Sequence, residues 1–274
     1  MSFPYRLVAT DLDGTLLRRD GSVSSRTRDA LRAATDTGAL HLVVTGRNVP
    51  WTIPILDELG YTGLAVCGQG GQLYHAGERR LLTSVTLDRR LAAAALTEVQ
   101  RMTGPLALAA SRDGLAGEVV ATRDFLVVDG GLPVLWTDDP ADILAEPVAK
   151  VYLQHPVLDD DALAKAAREA AGHLVDVVMA GEGVVELLPA GLTKATGLSL
   201  AARRLGVTAR ETIAFGDMPN DVPMFRWASW GVAMADAHPE LREVADEVTA
   251  SNDADGIALV LDRLRSGTPA PALD

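Results

Sequence analysis

The sequence predicts an α/β fold, a parallel-sheet core interrupted by an inserted α/β domain. Three observations carry this. Short apolar runs alternate with helical stretches over residues 1–83, and the alternation resumes over 188–274. Between 84 and 187 the texture changes, with several strand-like runs and two helical stretches. Strands alternating with helices form βαβ units and hence a parallel sheet, whose ligands gather beyond the carboxyl ends of the strands.

The elements follow in order. Leu7-Val8-Ala9-Thr10 is a short apolar run ending at Asp11, the pattern of a buried parallel strand. Ser24 or Ser25 can cap a helix over 26–37, which Gly38 stops. A second buried strand at 40–44 runs into Thr45-Gly46-Arg47, followed by a helix over 50–59 and a strand at 63–66. In the insertion, strands are expected at 106–110, 118–122, 150–154, 175–179 and 184–188, with helices at 88–102 and 159–171. The returning core supplies a helix over 192–205, a strand at 212–215, a helix over 221–228 and a strand at 231–234. A helix over 239–245, a short strand at 247–250 and a helix over 255–264 complete it. The Gly- and Pro-containing tail at 266–271 is expected to be disordered.

Composition narrows the function classes. At 274 residues, 48% hydrophobic and 23% charged, the chain has the make-up of a soluble globular protein with ample core. No apolar run approaches the roughly 20 residues that span a bilayer, so no membrane partner is expected. The first residues lack the basic and apolar regions of a secretion signal, and a single cysteine, Cys67, excludes an intrachain disulfide. A cytoplasmic location is the expectation. A net charge of −12 argues against nucleic acid as a partner. It also means that any anionic substrate needs locally concentrated positive charge, which a divalent metal supplies efficiently.

The chemistry gathers at strand ends. Asp11-Leu12-Asp13-Gly14-Thr15 follows the first strand. Carboxylates at i and i+2 can face the same way there, and a turn at Gly14 can aim backbone N–H groups at an anion. Thr45-Gly46-Arg47 ends the second strand with a hydroxyl, a close-approach glycine and a cation. Gly216-Asp217-Met218-Pro219-Asn220-Asp221 adds two acids after a third buried strand; Asn220 or Asp221 would serve as a helix cap, but Asp217 precedes the turn. Lys194 opens a helix, where a cation opposes the helix dipole. The chain has three lysines, Lys150, Lys165 and Lys194, and only Lys194 lies in the two core segments.

These four motifs, in order and spacing, resemble those of the haloacid dehalogenase superfamily, and most closely its Cof-type phosphatases. The resemblance spans essentially the whole chain. It implies a Rossmann-like core with an α/β cap, and a Mg²⁺-dependent phosphatase of small phosphorylated metabolites acting through an aspartyl phosphate. By that resemblance Asp11 is the nucleophile and Asp13 the general acid and base. Thr45 and Lys194 stabilise the transferring group, and Leu12, Gly46, Arg47 and Asn220 surround the substrate. Mg²⁺ is held by Asp11, the backbone carbonyl of Asp13, and Asp217, with Asp221 orienting a metal-bound water or Lys194. The sequence departs from the pattern at Gln69, where such proteins often carry Asn, at Ala195 in place of Gly, and at Pro219, whose position varies.

Other chemistries compete for the same acids. A phosphomutase of the same superfamily, or a non-catalytic phosphoacceptor module, uses clustered carboxylates with magnesium and lysine. The Asp11/Asp13 pair, which carries its own acid–base group, and the large insertion favour the phosphatase. Gly68-Gln69-Gly70-Gly71 reads as a glycine-rich turn rather than a nucleotide loop, since Leu73 stands where a dinucleotide motif needs glycine. Cys67 reads as a buried small hydrophobe, and the histidines show no metal-ligand spacing. Asp159-Asp160-Asp161 reads as a helix N-terminus, Trp227 and Trp230 as packing residues, and Asn252-Asp253 as a surface turn. Arg112, Arg123 and Lys150 are the basic candidates of the insertion for substrate contact. No motif encodes the metabolite's identity or the oligomeric state.

Overall fold

The computed structural model describes residues 3–126, 133–179 and 183–267. In chain order the elements begin with β1 (Leu7–Thr10), α1 (Ser25–Thr35), β2 (Leu40–Val44), α2 (Val49–Glu58) and β3 (Leu64–Cys67). A hairpin of β4 (Gln72–His75) and β5 (Arg80–Ser84) follows. The middle of the chain holds α3 (Arg89–Thr103), β6 (Ala107–Arg112), β7 (Val119–Thr122), β8 (Val134–Thr137), β9 (Val148–Gln154), α4 (Asp160–Ala171), β10 (Asp176–Met179) and β11 (Val185–Leu188). The last third holds α5 (Lys194–Leu205), β12 (Thr212–Gly216), α6 (Val222–Trp227), β13 (Trp230–Ala233), α7 (Pro239–Arg242), β14 (Glu247–Val248) and α8 (Gly256–Ser266).

Two sheets result. The eight-stranded sheet has the order β14-β13-β12-β1-β2-β3-β4-β5. Its pairings are parallel from β14 through β3, and β4 and β5 add an antiparallel edge. β1 sits where chain order reverses, between β2 and β12, so the crevice beyond its carboxyl end is the expected ligand site. Alternate strand residues face opposite sides. Val8, Val43 and Ile213 accordingly pack with Ala30, Leu31 and Leu261 of α1 and α8. Leu7, Ala9, Leu42 and Val44 pack with Leu198, Ala201, Met224 and Phe225 of α5 and α6.

The six-stranded sheet, β10-β11-β9-β6-β7-β8, draws every strand from the middle of the chain. One face, with Leu108, Ala110, Val151 and Leu153, is covered by α3 and α4. The other face carries a small cluster of Ala107, Ala109, Ala121 and Phe125, against which Tyr152 and Trp51 of α2 also pack.

Local chemistry explains most element ends. Ser24 accepts a hydrogen bond from the Thr27 amide and so caps α1. Asp159 does the same for α4 through the Ala162 amide, as its acidic run predicts. The helix expected from 192 starts two residues later, because Thr193 caps it reciprocally with Thr196. The glycine-rich turn at 68–71 joins the antiparallel pair β3 and β4.

The strands β4, β5 and β8 escape the sequence reading. They are four or five residues long, and β8 is half-buried to exposed throughout despite its apolar Val134-Leu135-Trp136 run. Of the tail expected to be disordered, 268–271 lie outside the described residues. Among the described residues no helix is long and apolar enough to cross a membrane.

Candidate active site

The four sequence motifs meet at the carboxyl ends of β1, β2 and β12. Asp11 leaves β1 with extended backbone and is 5% exposed. The chain then turns at Gly14, φ 75°, just after Asp13. Glycine is required there by more than its dihedral angle. A Cβ at Gly14 would stand 2.2 Å from Asp217 Oδ2, so the turn is packed directly under that carboxylate.

Lys194 opens α5 and is buried, 1% exposed. Its Nζ donates to Asp11 Oδ1 and to Asp221 Oδ1, both at 2.7 Å. Asp221 Oδ2 accepts from the backbone amides of Asp217 and Met218 at 3.0 and 3.1 Å, which shapes the loop after β12. Thr15 Oγ1 donates to Asp217 Oδ1 at 2.7 Å. Asp221 therefore has both oxygens engaged. Among the described residues, Asp11 Oδ2 and Asp217 Oδ2 are the carboxylate oxygens of this group that receive no hydrogen bond.

Charge is poorly balanced in this space. Ligand atoms of Asp11, Asp217 and Asp221 lie within 4.8 Å of one another, and Lys194 offsets one of the three negative charges. Burial raises the Asp11 carboxyl well above its ordinary range; Lys194 opposes the shift, while Asp221 and Asp217 add to it. Burial, reinforced by Asp221, pushes Asp217 up to about 7. Burial disfavours the Lys194 charge, yet Asp11 and Asp221 outweigh it and hold the ammonium firmly protonated. An all-oxygen donor set with two surplus negative charges fits a hard divalent cation.

Asp13 and Arg47 face each other at the rim. Arg47 Nε and Nη2 fork onto the Asp13 carboxylate at 2.7 and 2.6 Å, a bidentate charge-assisted pair. Thr45, at the end of β2, is buried, and its hydroxyl accepts from the Arg47 amide at 3.0 Å. Asn220 does not point into open space: its Nδ2 donates to Gln69 Oε1 at 3.0 Å. Leu12 is fully buried in the apolar core, so only its backbone is available to a ligand.

The matching family model describes a haloacid dehalogenase-like hydrolase and spans residues 8–261. The chain belongs to that family. This hydrolase is 29% identical to the 5-amino-6-(5-phospho-D-ribitylamino)uracil phosphatase YwtE of Bacillus subtilis, over 96% of its own length and 99% of the relative's. It is 32% identical to the phosphoglycolate phosphatase of Natronomonas pharaonis, over 94% and 97% of the two chains. Its fold matches the crystal structure of a haloacid dehalogenase-like hydrolase from Bacteroides thetaiotaomicron with a TM-score of 0.75 and 26% identity, covering 95% of this chain and 99% of that one. The hydrolase is a Cof-type member and a phosphoric monoester hydrolase.

The sequence reading assigns no role to Thr15 or Glu186, while it offers Lys150 as a candidate for substrate contact. Thr15, which holds Asp217, closes the first motif and was available as a signal in its hydroxyl. Glu186 is the lone acid in the apolar run Val184-Val185-Glu186-Leu187-Leu188, and Lys150 the lone cation in Val148-Ala149-Lys150-Val151. A single charge inside a strand that reads as buried marks a residue with a fixed partner. Of the other basic candidates of the insertion, Arg112 pairs with Glu118 and Glu146, and Arg123 pairs with Asp138 at the surface. Burial pushes the Cys67 thiol up to about 12, as befits a core residue. Asn252 and Asp253 lie in a turn, and Asn252 is itself buried and donates to the Leu17 carbonyl at 2.7 Å, so it also braces the loop after β1.

Proposed function

We propose that this hydrolase is a Mg²⁺-dependent phosphatase of small phosphorylated metabolites, working through an aspartyl phosphate on Asp11. The observation that carries the reading is the Asp11 carboxylate itself. Lys194 pins one oxygen and leaves the other open, beside Asp217, at the switch point of the parallel sheet. Bound Mg²⁺, held by Asp11, the Asp13 backbone carbonyl and Asp217, would supply positive charge to the phosphoryl oxygens.

The chain's own residues divide the work as follows. Asp11 Oδ2 attacks phosphorus as the bond to the leaving oxygen breaks, giving an acyl phosphate and an alcohol. Thr45, Gly46 and the amides after Asp11 surround the phosphoryl oxygens, and Lys194 aims the nucleophile and opposes the protonation that burial favours. Asp13 delivers a proton to the leaving oxygen and later takes one from water as the acyl phosphate is hydrolysed. Arg47 forks onto the Asp13 carboxylate, so substrate must first draw Arg47 toward the phosphoryl group and free Asp13 to take up the proton it delivers. Residues 84–187 serve as a cap domain over the core of 1–83 and 188–274, and face the leaving group. The phosphatases YwtE and phosphoglycolate phosphatase, both similar along nearly their whole length, support a small metabolite as substrate.

A panel of phosphorylated metabolites, assayed for released inorganic phosphate, tests this reading. Turnover is expected with Mg²⁺, to disappear with EDTA, and to disappear in Asp11→Asn. Isomerised product without phosphate release would indicate a phosphomutase. A single stoichiometric phosphorylation without turnover would indicate a phosphoacceptor. Full activity in metal-free buffer, or near-normal turnover of Asp11→Asn, refutes the mechanism.

A further inference from the structure

A buried polar chain joins the two sheets at the site. Lys150 of β9 is 2% exposed and Glu186 of β11 is 5% exposed. The two form an ion pair on the face of the six-stranded sheet opposite to α3 and α4. Lys150 Nζ also donates, at 2.8 Å, to the backbone carbonyl of Gly46 in the core. The other Glu186 oxygen accepts from Gln69 Nε2 at 2.9 Å. Gln69 Oε1 in turn accepts from Asn220. The chain thus runs from the inserted layer to the loops after β2, β3 and β12, the same loops that hold Thr45, Arg47 and Asp217.

Fit along this chain is tight. A Cβ on Gly46 would lie 2.5 Å from Gln69 Nε2, so glycine at 46 lets the Gln69 amide pass. Gln69 itself sits at φ 58°, a conformation costly for a side-chain-bearing residue, and its amide bonds the Thr45 carbonyl at 3.2 Å. Tyr152 lies 5.0 Å under the Lys150 ammonium and shares a hydrogen bond of 2.6 Å with Ser111.

Adhesion alone does not explain these groups. Burying an ion pair between two layers stabilises little, and apolar replacements of similar volume are often neutral or better. What the pair does supply is geometric. It grips a carbonyl flanked by Thr45 and Arg47, and it does so only while the two layers are together. We propose that Lys150 and Glu186 are positioning residues that make the phosphoryl-binding loop of the core depend on the docked inserted layer. Gln69 extends the same control to Asn220. The inference rests on the phosphatase reading, because the loop matters only if Thr45 and Arg47 meet the phosphoryl group.

The test compares Lys150→Met, Gln69→Met and their double variant with wild type and with the exposed-site control Lys165→Met. Hydrolysis of an aryl phosphate is measured at a temperature where each protein is folded by circular dichroism. Lys150→Met should lower kcat by about tenfold or more while KM changes by less than about threefold, the mark of an interaction realised in the transition state. Vanadate, which adopts the geometry of the transferring group, should lose affinity in parallel. Gln69→Met should act in the same direction, and the double variant should lose less than the product of the single losses, since both act through Glu186. Lys165→Met should match wild type. If uncompensated Glu186 prevents Lys150→Met from folding, Lys150→Met/Glu186→Gln takes its place with the same expectation.

Two failures are distinguishable. Wild type inactive on every phosphate ester overturns the phosphatase reading. Wild type active, Asp11→Asn inactive and folded Lys150→Met with unchanged kcat and vanadate affinity overturns this inference alone. Strictly multiplicative losses in the double variant also overturn it, because Lys150 and Gln69 would then act apart.

Discussion

Gly14→Ala is the most quantitative perturbation that the site offers. A methyl group at this position would stand 2.2 Å from Asp217 Oδ2 and 2.7 Å from its carboxyl carbon. Ordinary contact begins near 3.4 Å, so the carboxylate must retreat by roughly 1 Å. It cannot simply rotate, because Thr15 holds its other oxygen at 2.7 Å. A displacement of that size costs about a hundredfold in rate, or about 2.7 kcal/mol of barrier. The backbone, at φ 75°, adds about 1 kcal/mol of folding strain for any residue with a Cβ. The assay is steady-state hydrolysis of an aryl phosphate titrated with Mg²⁺, alongside thermal melts. Expected are a kcat about a hundredfold lower and a higher half-saturating Mg²⁺ concentration, with Tm reduced by about 2–4 °C. Gly206→Ala provides the control for strain alone: φ is 66° there, and a Cβ would meet nothing within 4 Å. It should lose comparable Tm and keep wild-type kcat. Wild-type kcat and metal response in Gly14→Ala would refute the assignment of Asp217.

Further predictions address the charges. Lys194→Arg should lower kcat by about a hundredfold with little change in Tm, because a planar guanidinium cannot occupy the ammonium's place between two carboxylates 2.7 Å away. Equal kinetics for this variant and wild type would remove Lys194 from the mechanism. Asp13→Asn should lose more activity on alkyl than on aryl phosphates, since a good leaving group needs no proton; equal losses would end its role as acid. For pH, Asp217 has a folded value of about 7 against an ordinary 3.8, so the folded metal-free protein retains a proton that the unfolded chain has released. Metal-free stability should therefore fall as pH rises from about 4 to about 7. Because Mg²⁺ must displace that proton, the rise in Tm on adding Mg²⁺ should be larger at about pH 8 than at about pH 6, and a pH-independent rise would contradict the metal assignment.

Three of the four motifs were legible because each sits where a buried strand ends; Lys194 instead opens α5. An apolar run such as Leu7–Thr10 has few other uses, and the polar residues after it emerge at the carboxyl edge of the sheet. Asp11, Asp13, Thr45, Lys194, Asp217 and Asp221 could thus be grouped from spacing and resemblance. Chain order, the parallel core and the separate character of the middle segment follow from the same local patterns. Edge strands such as β8 were not legible, since an apolar run of three residues, Val134-Leu135-Trp136, is too short to show a period.

What tertiary structure decided is which partner each charged group receives. Nothing in the spacing of Asp13 and Arg47 announces that the guanidinium forks onto that carboxylate. Nor does it reveal that Asn220 turns to Gln69 instead of outward. Glu186 reads only as an isolated charge in an apolar strand, and Lys150 as a candidate for substrate contact. Their meeting with Gly46 and Gln69 brings together residues separated by 104 and 117 positions. Local sequence sets backbone conformation and the direction of each side chain over a few residues. Which of several nearby acids meets which cation depends on how two sheets are packed, and that is determined by the summed burial of both cores.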